Sequence, residues 1–243
     1  MSGVITRRRF LSSTAVSLLG AGLLPAQTSK AKRVIHLFMA GGMSHIDTFD
    51  PKPGVRSIPT NVEGIHIGEH LPLLARRMDK ITLIRSMSHR HRSHEAARDL
   101  FPFPPEISIG GWDTHTSNEA RIAKPCTDLD RTLSGLLDDL EARGTLSETL
   151  VVVTTEFGRS AKLNAFGGRE HHPAAFTCLL AGGGFGGQVI GQTSADGMEV
   201  IGEKISPDDF KAMIEGDAGR SRVLQNASHS TRALESAAPA YHA

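Results

Sequence analysis

One unit of the chain leaves little freedom: a helical stretch feeding directly into a short apolar strand that ends in an abrupt return to polarity. From Thr127 to Arg143, Leu129, Leu133, Leu136, Leu137 and Leu140 recur at helical spacing, with Thr127 or Asp128 as N-cap and Gly144 just past the end. Leu150 to Val153 then form an apolar run rich in β-branched residues, and Thr154, Thr155 and Glu156 follow it. The pattern predicts a buried strand with Glu156 at its carboxyl end. Val34 to Met39 repeats it, ending in Gly41 and Gly42, so Ser44, His45 and Asp47 also leave a strand end. In open α/β sheets ligands bind on that edge, where loops and helix N-termini converge.

The rest of the chain fits this reading. Its 243 residues suffice for a sizeable core, and alternating strand-like and helix-like segments point to an α/β layer fold. With 27 basic and 26 acidic residues, one Trp and one Tyr, neither a field nor stacking platforms favour nucleic acid. Cys126 and Cys178 are open to either reading, one disulfide or two buried free thiols.

The first thirty residues read as a separate element. Thr6-Arg7-Arg8-Arg9-Phe10-Leu11 precedes an apolar stretch from Ala15 to Leu24, and Pro25-Ala26-Gln27 follows as a cleavage region. This resembles a twin-arginine export signal, which implies the twin-arginine export machinery as a partner and a periplasmic or secreted location. The apolar stretch is short for a membrane anchor, so no stable span is expected. Residues 31–215 are assigned to one α/β domain and 216–243 to a polar, alanine-rich tail of disorder-like composition.

Several groups suit a divalent metal. Asp113 and His115 lie within a GGWDTH turn, and His171 and His172 precede Pro173, which excludes helix there and suggests an exposed loop. Adjacent histidines on extended backbone point opposite ways, so one is expected to bind and the other to pack. For Glu156 the competing expectation is a structural ion pair with Arg159. His89, His91 and His94 form a second histidine group interleaved with Arg90, Arg92 and Arg98, where Ser93 is placed to cap a short helix. Such a helix start with arginines suits an oxyanion, making Ser88 or Ser93 candidate nucleophiles against the alternative of a solvated basic helix. Two other motifs fail on context. Gly182, Gly184 and Gly187 satisfy G-x-G-x-x-G, but a strand-like segment at Gln188–Thr193 follows where dinucleotide binding needs a helix. Gly42-Met43-Ser44-His45-Ile46 lacks the last glycine of a nucleophile elbow.

The strings HLFMAGGMSHIDTFDPKPG, GGWDTHTSN and the long run from LDRTLSGLL to GGQVIGQT resemble the domain of unknown function numbered 1501, over about residues 1–95 and 107–200. That family is related at fold level to the alkaline phosphatase and sulfatase superfamily. The resemblance implies a mainly parallel central sheet flanked by helices and a metal-dependent esterase-type site. Carried over, it implies metal ligands at Asp113, His115, Glu156 and His172, with Asp47 and His171 as further metal candidates. Ser44, His45, Ser93 and His94 are the candidate catalytic groups. The position after Glu156, often histidine in the superfamily, is Phe157, and the first-strand aspartate of the phosphatases has no clean counterpart. Zn, Ca or Mn is the implied ion, and a small-molecule or polysaccharide phosphate or sulfate ester the implied substrate.

Relative to the family, the chain is short between residues 96 and 108, where Leu100-Phe101-Pro102-Phe103-Pro104-Pro105-Glu106 stands in place of roughly a domain's worth of chain. The expected consequences are an incomplete sheet with an exposed edge, a site short of supporting contacts and at most trace esterase activity. The alternative to an ancestral metal-dependent hydrolase is an exported binding or scaffold protein that retains the fold without the chemistry.

Overall fold

A computed structural model describes residues 31–103 and 106–215. The export-signal and tail assignments, at residues 1–30 and 216–243, lie outside the described residues. The strands, in chain order, are β1 (Arg33–Met39), β2 (Ser57–Pro59), β3 (His66–Gly68), β4 (Ile81–Met87), β5 (Glu106–Ile109), β6 (Thr149–Thr154), β7 (Gly158–Arg159), β8 (His171–His172), β9 (Phe176–Gly182), β10 (Gln188–Ile190), β11 (Gln192–Thr193) and β12 (Val200–Ile201). The helices are α1 (Pro72–Ala75), α2 (His94–Arg98), α3 (Asn118–Ala142) and α4 (Pro207–Glu215). None of the described helices is long and apolar enough to cross a membrane.

Six strands form the central sheet in the order β10-β4-β9-β6-β1-β5. β1 runs parallel to β5 and β6, β9 opposes both β6 and β4, and β10 runs parallel to β4. The sheet is therefore mixed, with β9 the one reversed strand. The glycine-rich segment after β9 leads into β10 and β11, strands rather than a helix.

Alternation along the central strands divides the core in two. Val151 and Val153 of β6, with Leu179 and Ala181 of β9, join the α3 leucines on one face. Leu150 and Val152, with Phe176, Cys178 and Leu180, meet Phe210, Met213 and Ile214 of α4 on the other. Helices thus cover both faces, as a buried sheet requires. The two cysteines lie in different layers, Cys126 with α3 and Cys178 with α4, and both are free thiols. The disulfide reading is thereby removed.

The long helix begins at Asn118, with its N-cap at Ser117, ten or eleven residues before the expected Thr127 or Asp128, and Pro125 inside it. A proline in the interior removes one helical hydrogen bond and usually ends a helix. Here Pro125 is buried, and its neighbours Ile122 and Cys126 join the core on this face of the sheet, so apolar packing sustains the extra turns. Asp130 of the same helix accepts the backbone N–H groups of Leu73 (3.0 Å) and Leu74 (2.8 Å), capping α1 from a distance.

β5 is an outer strand that follows the short connection, and Ile107 on it is 54 % exposed. His36, buried in β1, ties that connection to the sheet by facing the Phe103 carbonyl oxygen with Nδ1 (2.9 Å) and Thr154 Oγ1 with Nε2 (2.7 Å).

Candidate metal centre

The carboxyl ends of β1, β4, β5 and β6 share one edge of the sheet, and β9 enters from that edge because it is reversed. The loops after the first four strands, and the β8 segment before β9, supply the clustered side chains. The turn after β1 is organised by Glu156. Gly41 and Gly42 adopt φ of 114° and 76°, which turns their N–H groups inward. Glu156 is buried, and its carboxylate accepts Gly41 N–H at 2.9 Å and Gly42 N–H at 2.8 Å. Thr155 Oγ1 accepts Met43 N–H at 2.7 Å and donates to the Met39 carbonyl at 3.0 Å, pinning the end of β1 to the end of β6.

Three imidazoles gather round one carboxylate oxygen, Asp113 Oδ1. His115 Nε2 lies 3.1 Å from it, His171 Nε2 3.7 Å and His94 Nε2 3.8 Å. In every ring the other nitrogen faces a group that can only accept. His94 Nδ1 is 3.2 Å from Glu156 Oε1, His115 Nδ1 is 3.1 Å from Glu170 Oε2, and His171 Nδ1 is 2.7 Å from the Arg92 carbonyl oxygen. Each ring thus has an acceptor at both nitrogens; a proton held on Nδ1 leaves the Nε2 lone pair free to bind a cation beside Asp113. His115 Nε2 and His171 Nε2 are 2.9 Å apart. Two lone pairs at that distance repel unless a proton or a metal cation is shared between them.

The residues present fit a divalent metal. One ligand atom each from His94, Asp113 and His171 lies within 4.8 Å of the others. Ligands about 2.0–2.1 Å from a tetrahedral ion sit about 3.4 Å apart, so the observed spacing needs only small side-chain adjustment. Arg159 is the cation already at hand. Fully buried, it donates Nε–H to the Gly42 carbonyl (3.0 Å), Nη1–H to the Arg169 carbonyl (2.9 Å), and Nη2–H to the Gly41 carbonyl and to Asp113 Oδ1. Burial alone would raise the Asp113 carboxyl, but the Arg159 guanidinium outweighs it and holds the group below the usual carboxylate range. Burial also lowers His171, helped by Arg159 and the neighbouring imidazoles, which favours its neutral, ligating form.

The structure brings Asp113, His115, Glu156, His171 and His94 together. It sends the other candidates elsewhere. Asp47 meets Arg169 Nε and Nη2 in a buried fork at 2.8 and 2.9 Å and also accepts from Asn118, which makes it a structural anchor. Ser44 is buried, with its Oγ accepting Asp47 N–H. His45 is buried, donates Nε2–H to the Gly197 carbonyl (2.8 Å) and stacks on His172. His172 donates Nε2–H to the Met198 carbonyl at 2.6 Å. Pairing of β7 with β8 fixes which neighbour faces inward, and it is His171; the pair sits half-buried in a strand rather than on an exposed loop. Ser93 stands at the N-cap of α2 but is exposed and makes no side-chain cap bond. Glu156 does not form the expected direct pair with Arg159, whose carboxylate partner is Asp113.

Sequence reasoning missed the central place of Arg159 and the amide pair at Gly41 and Gly42. It grouped His89 with the second histidine set but not with Glu156, whose backbone carbonyl accepts His89 Nε2–H at 2.6 Å. The adjacent glycines at the end of an apolar run were the available signal for the amide pair.

The sequence profile of a family described as "Protein of unknown function (DUF1501)" matches residues 31–102 and 106–221. The chain belongs to the DUF1501 family. The clustered residues of this DUF1501 chain fall within the matched segments, and the break between the segments falls in the short connection before β5. No curated protein and no solved structure gave a match.

Proposed function

We propose that this protein is an exported, metal-dependent hydrolase of phosphate or sulfate esters, built on an alkaline-phosphatase-like plan. The observation that carries the reading is the set of imidazoles whose Nδ1 atoms are tied outward and whose Nε2 atoms face Asp113 Oδ1. A bound divalent ion at such a site would polarise an ester oxygen or activate a water. Asp113, half exposed, would be reachable from solvent, while Glu156, Glu170 and the Arg92 carbonyl hold the rings in orientation. Arg90 and Arg92 are exposed on the loop that holds His171 and supply donors suited to an anionic ester. The outer partners of the rings lie in the chain as it stands, so the short connection before β5 does not strip the cluster of support. We therefore favour an active centre over the trace activity expected from the shortened sequence.

Export rests on the paired arginines Arg7 and Arg8 and the apolar stretch behind them. A second reading, a non-catalytic exported scaffold, draws on one observation: Arg159 already supplies Asp113 with a counter-charge. Hydrolysis of aryl phosphates and aryl sulfates by purified protein loaded in turn with Zn²⁺, Mn²⁺ and Ca²⁺ separates the two. The hydrolase reading expects metal-dependent turnover that Asp113→Asn abolishes. Folded protein that releases no product with any of the three ions supports the scaffold.

A further inference from the structure

Glu156 is one of the carboxylates expected to ligate a metal, yet both its oxygens already accept hydrogen bonds. Gly41 N–H reaches both oxygens (2.9 and 3.1 Å), Gly42 N–H reaches Oε2 (2.8 Å) and His94 Nδ1 lies 3.2 Å from Oε1. The side chain is almost wholly buried, at 4 % exposure. A cation on these oxygens would have to compete with the backbone N–H groups of Gly41 and Gly42, and a buried donor left without its acceptor carries a desolvation cost. His94 is differently placed. It opens α2 from the loop after β4, half-buried, with Nε2 directed at Asp113 Oδ1 and its ring face packed edge-on against His171 (centroids 4.5 Å apart).

We infer that His94, with Asp113 and His171, ligates the ion directly, while Glu156 is a positioning residue that orients the His94 ring from outside. The inference rests on the metal-centre part of the proposed function and deepens it by naming the ligands and the class of ion. Two imidazoles and one carboxylate, with His115 adjoining, form a nitrogen-rich set. Calcium takes six to eight oxygens and magnesium keeps oxygen and water around it, so neither suits these donors. Zinc and neighbouring transition ions accept imidazole readily. Three protein ligands also leave a tetrahedral ion one open position, as catalytic rather than structural zinc sites do. The carboxylate behind an imidazole typically changes metal affinity by about 10- to 100-fold when removed, without removing the site.

The test reads metal binding rather than turnover. Apo-protein is titrated calorimetrically with Zn²⁺ and with Ca²⁺, bound metal is counted by mass spectrometry, and Co²⁺ substitution reports ligand geometry through its visible absorption. The wild type should bind one Zn²⁺ per chain at least about 100-fold more tightly than Ca²⁺. His94→Gln and Asp113→Asn should each remove tight binding, and His172→Gln should leave it unchanged. Glu156→Gln should bind about 10- to 100-fold more weakly, at the same stoichiometry and with the same Co²⁺ absorption. Calcium binding as tightly as zinc, or unaltered zinc binding by His94→Gln, would overturn the inference. So would a folded Glu156→Gln protein that binds no metal, since Glu156 would then be a ligand. If that variant fails to fold, His94→Gln and the zinc-to-calcium ratio decide alone. Zinc bound as described with no ester turned over removes the hydrolase reading and leaves this one standing; ester turnover sustained by calcium does the reverse.

Discussion

Arg159 and Asp113 come from different strand ends, and the guanidinium of the one, fully buried, donates to the half-exposed carboxylate of the other. An ion pair this exposed at one partner contributes little by itself. The importance of Arg159 lies in its remaining donors, which satisfy the carbonyls of Gly41, Gly42 and Arg169 and so tie the turn after β1 and the Arg169 segment to β7.

Replacing that residue should therefore cost more than a surface ion pair. Arg159→Met orphans these carbonyls, and a loss on the order of 3 kcal/mol is expected in urea unfolding. Arg159→Lys should recover part of it, because one ammonium cannot serve a forked set of acceptors. A methionine variant within about 1 kcal/mol of wild type, the size of an ordinary surface pair, would refute the staple role.

The turn that receives Glu156 makes a second expectation. In Gly42→Ala the new Cβ would stand 2.6 Å from a Phe157 ring atom on backbone with φ of 76°. Gly54 has φ of 93° but nothing within 4 Å of its Cβ position. Gly54→Ala should cost about 1–2 kcal/mol for conformation alone, and Gly42→Ala about 1–3 kcal/mol more from overpacking. Equal losses for the two variants would show that the turn is slacker than described.

Acid should weaken the fold through His45. Burial pushes its imidazole down to about 4, with the Gly197 carbonyl only partly offsetting. A lowered folded value means that the unfolded chain takes up the proton first, so stability is intact above about 6.5 and is lost as pH falls from there toward about 4. The His45 contribution is on the order of 3 kcal/mol. His36, His89, His171 and His172 are shifted the same way, so the comparison is between wild type and His45→Gln. Urea midpoints at pH 7.5 and 5 should fall less in the variant. An identical fall in both proteins would exclude His45 as a source.

Export is expected to depend on the arginine pair itself and not on positive charge. Arg7→Lys with Arg8→Lys should leave precursor in the cytoplasm, followed by fractionation and immunoblotting. Processed protein outside the cytoplasm at wild-type level would rule out the twin-arginine route.

The strands whose polarity changes sharply were legible in the sequence. The runs ending at Met39 and Val153 give β1 and β6, and with them the edge on which Glu156 and the glycine turn sit. Less legible was whatever depends on a partner far along the chain. Pro125 marks a helix boundary by local rules, and only its burial, with Ile122 and Cys126 packed into the core, carries α3 back to Asn118. His171 and His172 are equivalent until β8 pairs with β7, which then decides which ring faces Asp113. Glu156 reads as a metal ligand or as a partner for Arg159, because the amides of Gly41 and Gly42 that occupy it lie over a hundred residues away.

The central claim is that one ion sits among His94, Asp113 and His171. Anomalous scattering from crystals of zinc-loaded protein, recorded on both sides of the zinc absorption edge, tests it most directly. A single zinc peak about 2.0–2.2 Å from an imidazole nitrogen of His94, one of His171 and an oxygen of Asp113 is the predicted result. A zinc peak bonded to Glu156 instead, or no peak among these side chains with Arg159 still holding Asp113, would contradict it.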